Sequence, residues 1–198
     1  MARLRESPPR ERADAARNRA RILDAAARLF ARHGVAEVSM DQIAAEAEVG
    51  KGTLFRRFGD KAGLASALLS AREEELQGAI LGGPPPLGPD APAGERLIAF
   101  TAAYARFLEA NLDLVRLSET ANTGARYRTG AYRFWHLHVR ILLVEARPDL
   151  DADYFAHVVL APLAADLRHA TRDAFPAERV TANVADLARL VLTGQILA

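Results

Sequence analysis

Apolar side chains recur along the chain at intervals of three and four, the mark of helices with one buried face, and no stretch alternates long enough to suggest a strand. From Ala15 to His33 the apolar set Ile22, Ala25, Ala26, Leu29 and Phe30 predicts an amphipathic helix, stopped by Gly34. Met40, Ile43, Ala44 and Ala47 make a narrow apolar face on a second, short helix, and Val49, Leu54 and Phe58 continue it across a third over Lys51 to Phe58. Only Glu48, Val49 and Gly50 separate these two, so the pair is a helix-turn-helix. Ser39 and Gln42 have capping-box spacing, which starts the earlier helix sharply.

Gly59 and Asp60 break the pattern, and Lys61 opens a helix to about Leu81 with Leu64, Leu68, Leu69, Leu76 and Ile80 as its apolar positions. The run GGPPPLGPDAPA over 82–93 excludes helix and interior strand, and predicts an exposed, poorly ordered loop. Further helices are predicted over Glu95–Ala110, Leu112–Ala121, Tyr127–Ala146, Asp151–Phe175 with a break near Pro162, and Pro176–Leu197. The expected class is all-α: a three-helix module over 15–60 and a larger helical domain over 61–198. Before them stands an arm over 1–14, expected to be flexible, in which Arg3, Arg5, Arg10 and Arg12 flank Pro8 and Pro9.

Composition narrows the function. With 50% hydrophobic and 26% charged residues the 198-residue chain has enough apolar content for a core, and its net charge of +1 is uninformative as a total. The distribution matters more: the first sixty residues are arginine-rich, which points to an anionic partner. Zero cysteines exclude a disulfide framework and a thiolate metal site, and fit a reducing, cytoplasmic setting. No apolar run approaches the roughly 18 residues of a membrane span, and the N-terminus has no apolar segment of the signal-peptide kind. No phosphate loop, dinucleotide fingerprint, zinc-protease motif or nucleophile elbow occurs, so no catalytic residue and no cofactor are expected. His136 and His138, two apart on a helix, point in different directions and do not clamp a metal.

In the third helix Lys51, Gly52, Thr53, Phe55, Arg56 and Arg57 face outward by elimination. Cations, a hydroxyl, an exposed aromatic and a glycine that lets backbone come close suit phosphates and base edges rather than a plain solvated face. The stretch VGKGTLFRRFGDKAGL resembles the recognition-helix signature of the TetR family of bacterial transcriptional repressors, and the likeness runs from about Ala15 to Leu69. Two positions depart from it. Glu48 stands where glycine is usual, predicting a left-handed residue that costs on the order of 1 kcal/mol, and Gly50 stands where a serine often caps the helix.

The resemblance implies a homodimer on a palindromic operator of double-stranded DNA, with contacts at these outward positions. By their place on the outer face, Thr53 and Arg56 are expected at base edges. Lys51, Phe55, Arg57 and Lys61 are expected to hold phosphates or sugars, Gly52 to admit close approach, and Ser39 to meet a phosphate at a helix N-terminus.

In the larger domain Phe100, Tyr104 and Phe107 form one aromatic stripe, while Tyr127, Phe134, Trp135 and His138 bring bulk and polar tips from another helix. Core packing and a ligand pocket are both open on the residues alone. The resemblance implies the pocket, for a small, mainly apolar or aromatic molecule that releases the repressor. The last two helices carry surplus apolar residues, and the resemblance implies a four-helix bundle with a second copy, for which Val158, Leu187, Leu190 and Val191 are the expected contacts. The alternatives are a DNA-binding regulator with no ligand, and a helical-bundle enzyme or carrier.

Overall fold

The computed structural model describes residues 9–120 and 123–194, with backbone alone for 9–13. Its helices are α1 (Pro9–His33), α2 (Met40–Glu46), α3 (Lys51–Phe58), α4 (Lys61–Gly82), α5 (Ala93–Ala110), α6 (Leu112–Glu119), α7 (Ala125–Arg128), α8 (Gly130–Ala146), α9 (Ala152–Leu160), α10 (Ala165–Thr171) and α11 (Ala177–Thr193). A tighter 3-10 turn, Ala161–Leu163, joins α9 to α10, and no strand occurs among the described residues. The chain divides into two compact units, Met1–Ser70 and Ala71–Ala198, and α4 runs from one into the other.

Several boundaries differ from expectation, each for a local reason. Helix α1 starts at Pro9 rather than near Ala15. A proline in the first turn needs no N–H and brings a helical φ, so Pro9 opens a helix inside the segment expected to be a flexible arm. Residues 1–8, with Arg3 and Arg5, lie outside the described residues. The 82–93 segment is pinned rather than loose: Leu87 packs against the second unit's core and the Gly88 N–H donates to Pro84 O at 3.0 Å. A Cβ on Gly88 would sit 1.7 Å from Gly83 O, so this turn closes only on glycine. The helix expected over Tyr127–Ala146 is two, because Thr129 is extended (φ −65°, ψ 148°) and its side chain caps α8 by accepting from Tyr132 N at 3.1 Å. The break near Pro162 is the 3-10 turn, and Ile196 falls outside the described residues.

In the first unit Ile22, Ala25, Ala26, Ile43, Ala44, Leu54, Leu64 and Leu68 are buried. In the second, α5 carries Leu97, Phe100 and Tyr104 into a core shared with Trp135, Val139, Leu142 and Leu143 of α8 and with Val184 and Ala188 of α11. Helix α9 packs on α8 through Val159 and Leu160. Buried charges sit at one end of this core. Arg126 of α7 pairs with Glu119 of α6 and donates to Leu160 O at 2.9 Å and Leu163 O at 3.2 Å, the last carbonyls of α9 and of the 3-10 turn after it. Glu119 in turn accepts from Ala165 N at 2.9 Å.

Half-buried Glu73 of α4 belongs to the same region. Burial first, then the charges of Glu119 and Glu74, push its carboxyl from 4.5 up to about 7. The native state therefore keeps a proton that the unfolded chain has lost, and stability falls as pH rises from about 4.5 to about 7. Glu73→Gln is expected to be the more stable form at pH 8, by on the order of 1 kcal/mol after solvent screening, and to match the parent near pH 4. Urea unfolding at both pH values measures this; a constant difference between variant and parent across the range contradicts it.

Candidate nucleic-acid interface

The interface begins at Ser39, whose side chain accepts from Gln42 N at 3.2 Å while the Gln42 side chain accepts from Ser39 N at 2.8 Å, completing the capping box. Its hydroxyl also bonds Gln42 Oε1 at 2.9 Å, so Ser39 is exposed but already engaged. Helix α2 ends in a Schellman arrangement: Val49 N donates to Ala44 O at 3.0 Å and Glu48 N to Ala45 O at 3.1 Å. Glu48, at φ 52°, takes the left-handed position expected of it. Arg21 of α1 buttresses this turn, donating to Ala47 O at 2.7 Å and Glu48 O at 3.2 Å. Nothing local in the sequence marks Arg21 for this role, because its acceptors lie 26 and 27 residues further along the chain.

Helix α3 spans the expected residues, and only Leu54 among them is buried. Thr53 and Phe58 are half-buried, while Lys51, Gly52, Phe55, Arg56 and Arg57 are exposed. Phe55 stands 47% exposed, an unusual place for a large ring. Arg56 makes no hydrogen bond or ion pair among the described residues. Its neighbours are partly committed: Lys51 Nζ lies 2.5 Å from Asp41 of α2, Arg57 donates to Ala15 O at 2.5 Å, and Lys61 donates to Ala36 O at 2.7 Å. The Lys51 pair is exposed on both sides and contributes about 0–1 kcal/mol, a hold that a phosphate readily replaces. A Cβ on Gly52 would meet nothing within 4 Å, so nothing inside the chain requires glycine there.

Of the seven aromatic or histidine side chains expected at a ligand pocket, six lie together. Phe100 stacks on Tyr104 at 5.8 Å between ring centroids and meets His138 edge-on at 5.0 Å; Tyr104 lies 5.4 Å from Trp135 and 5.8 Å from Phe107; Phe134 meets Trp135 at 5.1 Å. Tyr127 does not join them. It is 59% exposed and faces Tyr132 and His157, because the break at Thr129 puts it on α7 instead of α8. His138 Nε2 is buried with no hydrogen-bond partner among the described residues, and burial, then the nearby Arg96 charge, lower the ring's pKa to about 4. The expected dimer residues Val158, Leu187 and Val191 are half-buried, and Leu190 is exposed. Arg126 and Arg168, both buried, had no sequence signal, since what buries them is partners 7 to 59 residues distant along the chain.

Residues 22–68 match the family model for bacterial regulatory proteins of the tetR family. Over 92 residues the chain is 35% identical to an HTH-type transcriptional repressor of Streptomyces coelicolor, covering 46% of this chain and 45% of that protein. Over 53 residues it is 49% identical to an HTH-type transcriptional regulator of Staphylococcus aureus, covering 27% and 29%. The matches therefore span less than half the length of these curated relatives, both of which are HTH-type transcriptional regulators. A transcriptional regulator from Saccharomonospora viridis, crystallised in complex with choline, superposes with a TM-score of 0.71 at 20% identity, covering 92% of this chain and 99% of that one. A TetR/AcrR-family regulator from Thermobifida fusca gives 0.68 at 22% identity, covering 90% and 98%. At such identity the likeness is one of fold. Among the described residues no helix is long and apolar enough to cross a membrane.

The turn itself is open to test. Glu48→Gly removes a left-handed side chain yet keeps the carbonyl that Arg21 grips, so it is expected to stabilise the protein by up to about 1 kcal/mol. A urea midpoint that rises at unchanged m-value checks this; a lower midpoint shows that the Glu48 carboxylate contributes more than its backbone strain costs.

Proposed function

We propose that the chain is, through the helix-turn-helix of its N-terminal unit, a regulator of the TetR family, and that it is a homodimeric, cytoplasmic repressor released from a palindromic operator by a small ligand. The outward face of α3 supports this most: Gly52 with no internal reason to be glycine, Arg56 with no partner among the described residues, and Phe55 held out in solvent. In the major groove Thr53 and Arg56 read base edges. Lys51, Phe55, Arg57 and Lys61 hold phosphates and sugars, Ser39 stands at the N-terminus of α2 beside the same strand, and Gly52 brings backbone against the duplex. Two such helices reach successive half-sites when roughly 34–36 Å apart, one turn of B-DNA.

The ligand site proposed is the α5–α8 cluster of Phe100, Tyr104, Phe107, Phe134, Trp135 and His138, which suits a mainly apolar or aromatic molecule. Tyr127, outside the cluster, is not proposed as part of it. Electron-rich ring faces also attract quaternary ammonium groups, so compounds of the kind bound in the Saccharomonospora structure belong in the first panel assayed. Ligand-stabilised geometry would change the spacing of the two recognition helices through α4, and a coupling of about 2.7 kcal/mol changes operator affinity on the order of a hundredfold. A regulator with no ligand is the second reading, favoured by the complete burial of Phe100 and near-complete burial of Trp135.

The test is selection of bound sequences from random duplexes, followed by two variants. Arg56→Ala is expected to relax the selected sequence at one position at a cost of about 1–3 kcal/mol. Gly52→Ala is expected to fold as stably as the parent or by about 0.5–1 kcal/mol better, yet to lose affinity for the duplex about tenfold. No enrichment for the parent, or a Gly52→Ala protein that binds DNA undiminished, contradicts the assignment of α3 to the groove.

A further inference from the structure

Among the described residues four buried side-chain nitrogens have no hydrogen-bond partner: Arg96 Nε, His138 Nε2, Arg168 Nη1 and His169 Nδ1. The Arg168 charge is nonetheless answered by Glu109, at 2.7 and 3.0 Å. Arg96 has no such answer, since its guanidinium makes no ion pair or hydrogen bond among the described residues. Glu95, next to it in sequence, is exposed and does not pair with it. Arg96 also stands at the end of the first turn of α5, where the helix dipole favours an anion over a cation. A half-buried cation placed there carries a desolvation cost that no partner offsets.

Helices α5 and α8 run antiparallel through the aromatic cluster. Tyr104 faces Trp135 at 5.4 Å, and one turn back on α5 Phe100 meets His138 edge-on at 5.0 Å, one turn on along α8. A further turn back brings Arg96 into the same row, so the guanidinium and the imidazole stand together at one end of the aromatic wall. The His138 ring is only 8% exposed; burial and then the Arg96 charge keep it neutral, and among the described residues no carboxylate opposes them. With its proton on Nε2 the ring is a donor, and Arg96 Nε–H is a second, so the two lack a shared acceptor. A carboxylate offers two oxygens in one plane, which match the arginine fork, and a single negative charge, which matches its single positive one. A phosphate monoester would bring about −1.5 to −2. Beyond this polar end the wall of Phe100, Tyr104 and Trp135 suits an apolar body.

We propose that Arg96 and His138 form the anion-binding end of the α5–α8 ligand site, and that its ligand is an apolar or aromatic carboxylic acid held as the carboxylate. This assignment rests on the ligand reading given under the proposed function and gives that ligand a chemical class. Trp135 is the chain's one tryptophan, so its fluorescence reports binding at the cluster directly. Octanoate and phenylacetate are titrated against their uncharged counterparts, octanamide and phenylacetamide, and against octyltrimethylammonium. The parent is expected to bind at least one acid about tenfold more tightly than the matching amide. Arg96→Gln should keep the parent's circular dichroism and melting, yet bind acid and amide alike. Arg96→Lys, which keeps the charge without the fork, should recover part of the preference. Equal binding of acid and amide by the parent, a preference that survives Arg96→Gln, or tighter binding of the ammonium compound overturns the carboxylate site. If none of the five compounds changes the Trp135 fluorescence or the melting temperature, it is the ligand reading beneath that falls.

Discussion

Leu54 is the single buried side chain of α3, and the presentation of the whole helix depends on it. Eight residues are too few to hold a helix in water, where about 12–15 are needed even for favourable sequences. Burial of Leu54, with Phe58 and Val49 half-buried beside it, supplies the missing stability from tertiary packing. The turn before it fixes the angle: Glu48 accepts a left-handed backbone, and the Arg21 guanidinium satisfies the carbonyls at the end of α2. A helix anchored along one narrow line leaves five of its eight residues exposed, and those five are cationic, aromatic or glycine. The exposed polar face and the packing face of α3 thus draw on separate positions of one short segment.

The second unit places its polar groups differently. Its aromatic stripe is mostly buried, and the charges it encloses are matched: Arg126 with Glu119 and two carbonyls, Arg168 with Glu109 at 2.7 and 3.0 Å. Removing one member of such a set leaves a buried charge alone, which is why pairs like these fix an arrangement more than they add net stability. His138 differs from these pairs: its buried ring nitrogen Nε2 has no partner among the described residues and lies beside a wall of aromatic side chains. Burying it neutral stabilises the fold above its unfolded pKa of 6.5 and that contribution is lost as pH falls toward about 4, opposite in sign to Glu73.

What was legible in the sequence was what short-range chemistry decides. The bounds of α3, the Ser39–Gln42 box and the left-handed Glu48 all follow from residues within six positions of one another, and the structure has them as expected. Pro9 was legible too, but the same residue that breaks a helix interior opens a helix start, and only the fold decided between them. Tyr127 was placed on the wrong element because Thr129, a good N-cap, was read through rather than as a boundary. Arg21, Arg126 and the ordered 82–93 turn could not be read at all, since each is defined by carbonyls or apolar atoms contributed from elsewhere in the chain. The outward face of α3 could be read from elimination, since its one buried side chain, Leu54, sits on the apolar spacing that the sequence shows.

The central claim is that the exposed cations of α3 bind a duplex, and the salt dependence of affinity tests it most directly. Fluorescence anisotropy on a duplex selected by the protein, repeated from about 50 to 200 mM salt, gives the slope of log affinity against log salt, and each neutralised phosphate contributes about −0.9 to it. The account predicts a slope of several units, with the selected duplex held far more tightly than a scrambled one at every salt concentration. A slope near zero, or equal affinity for both duplexes, would contradict it.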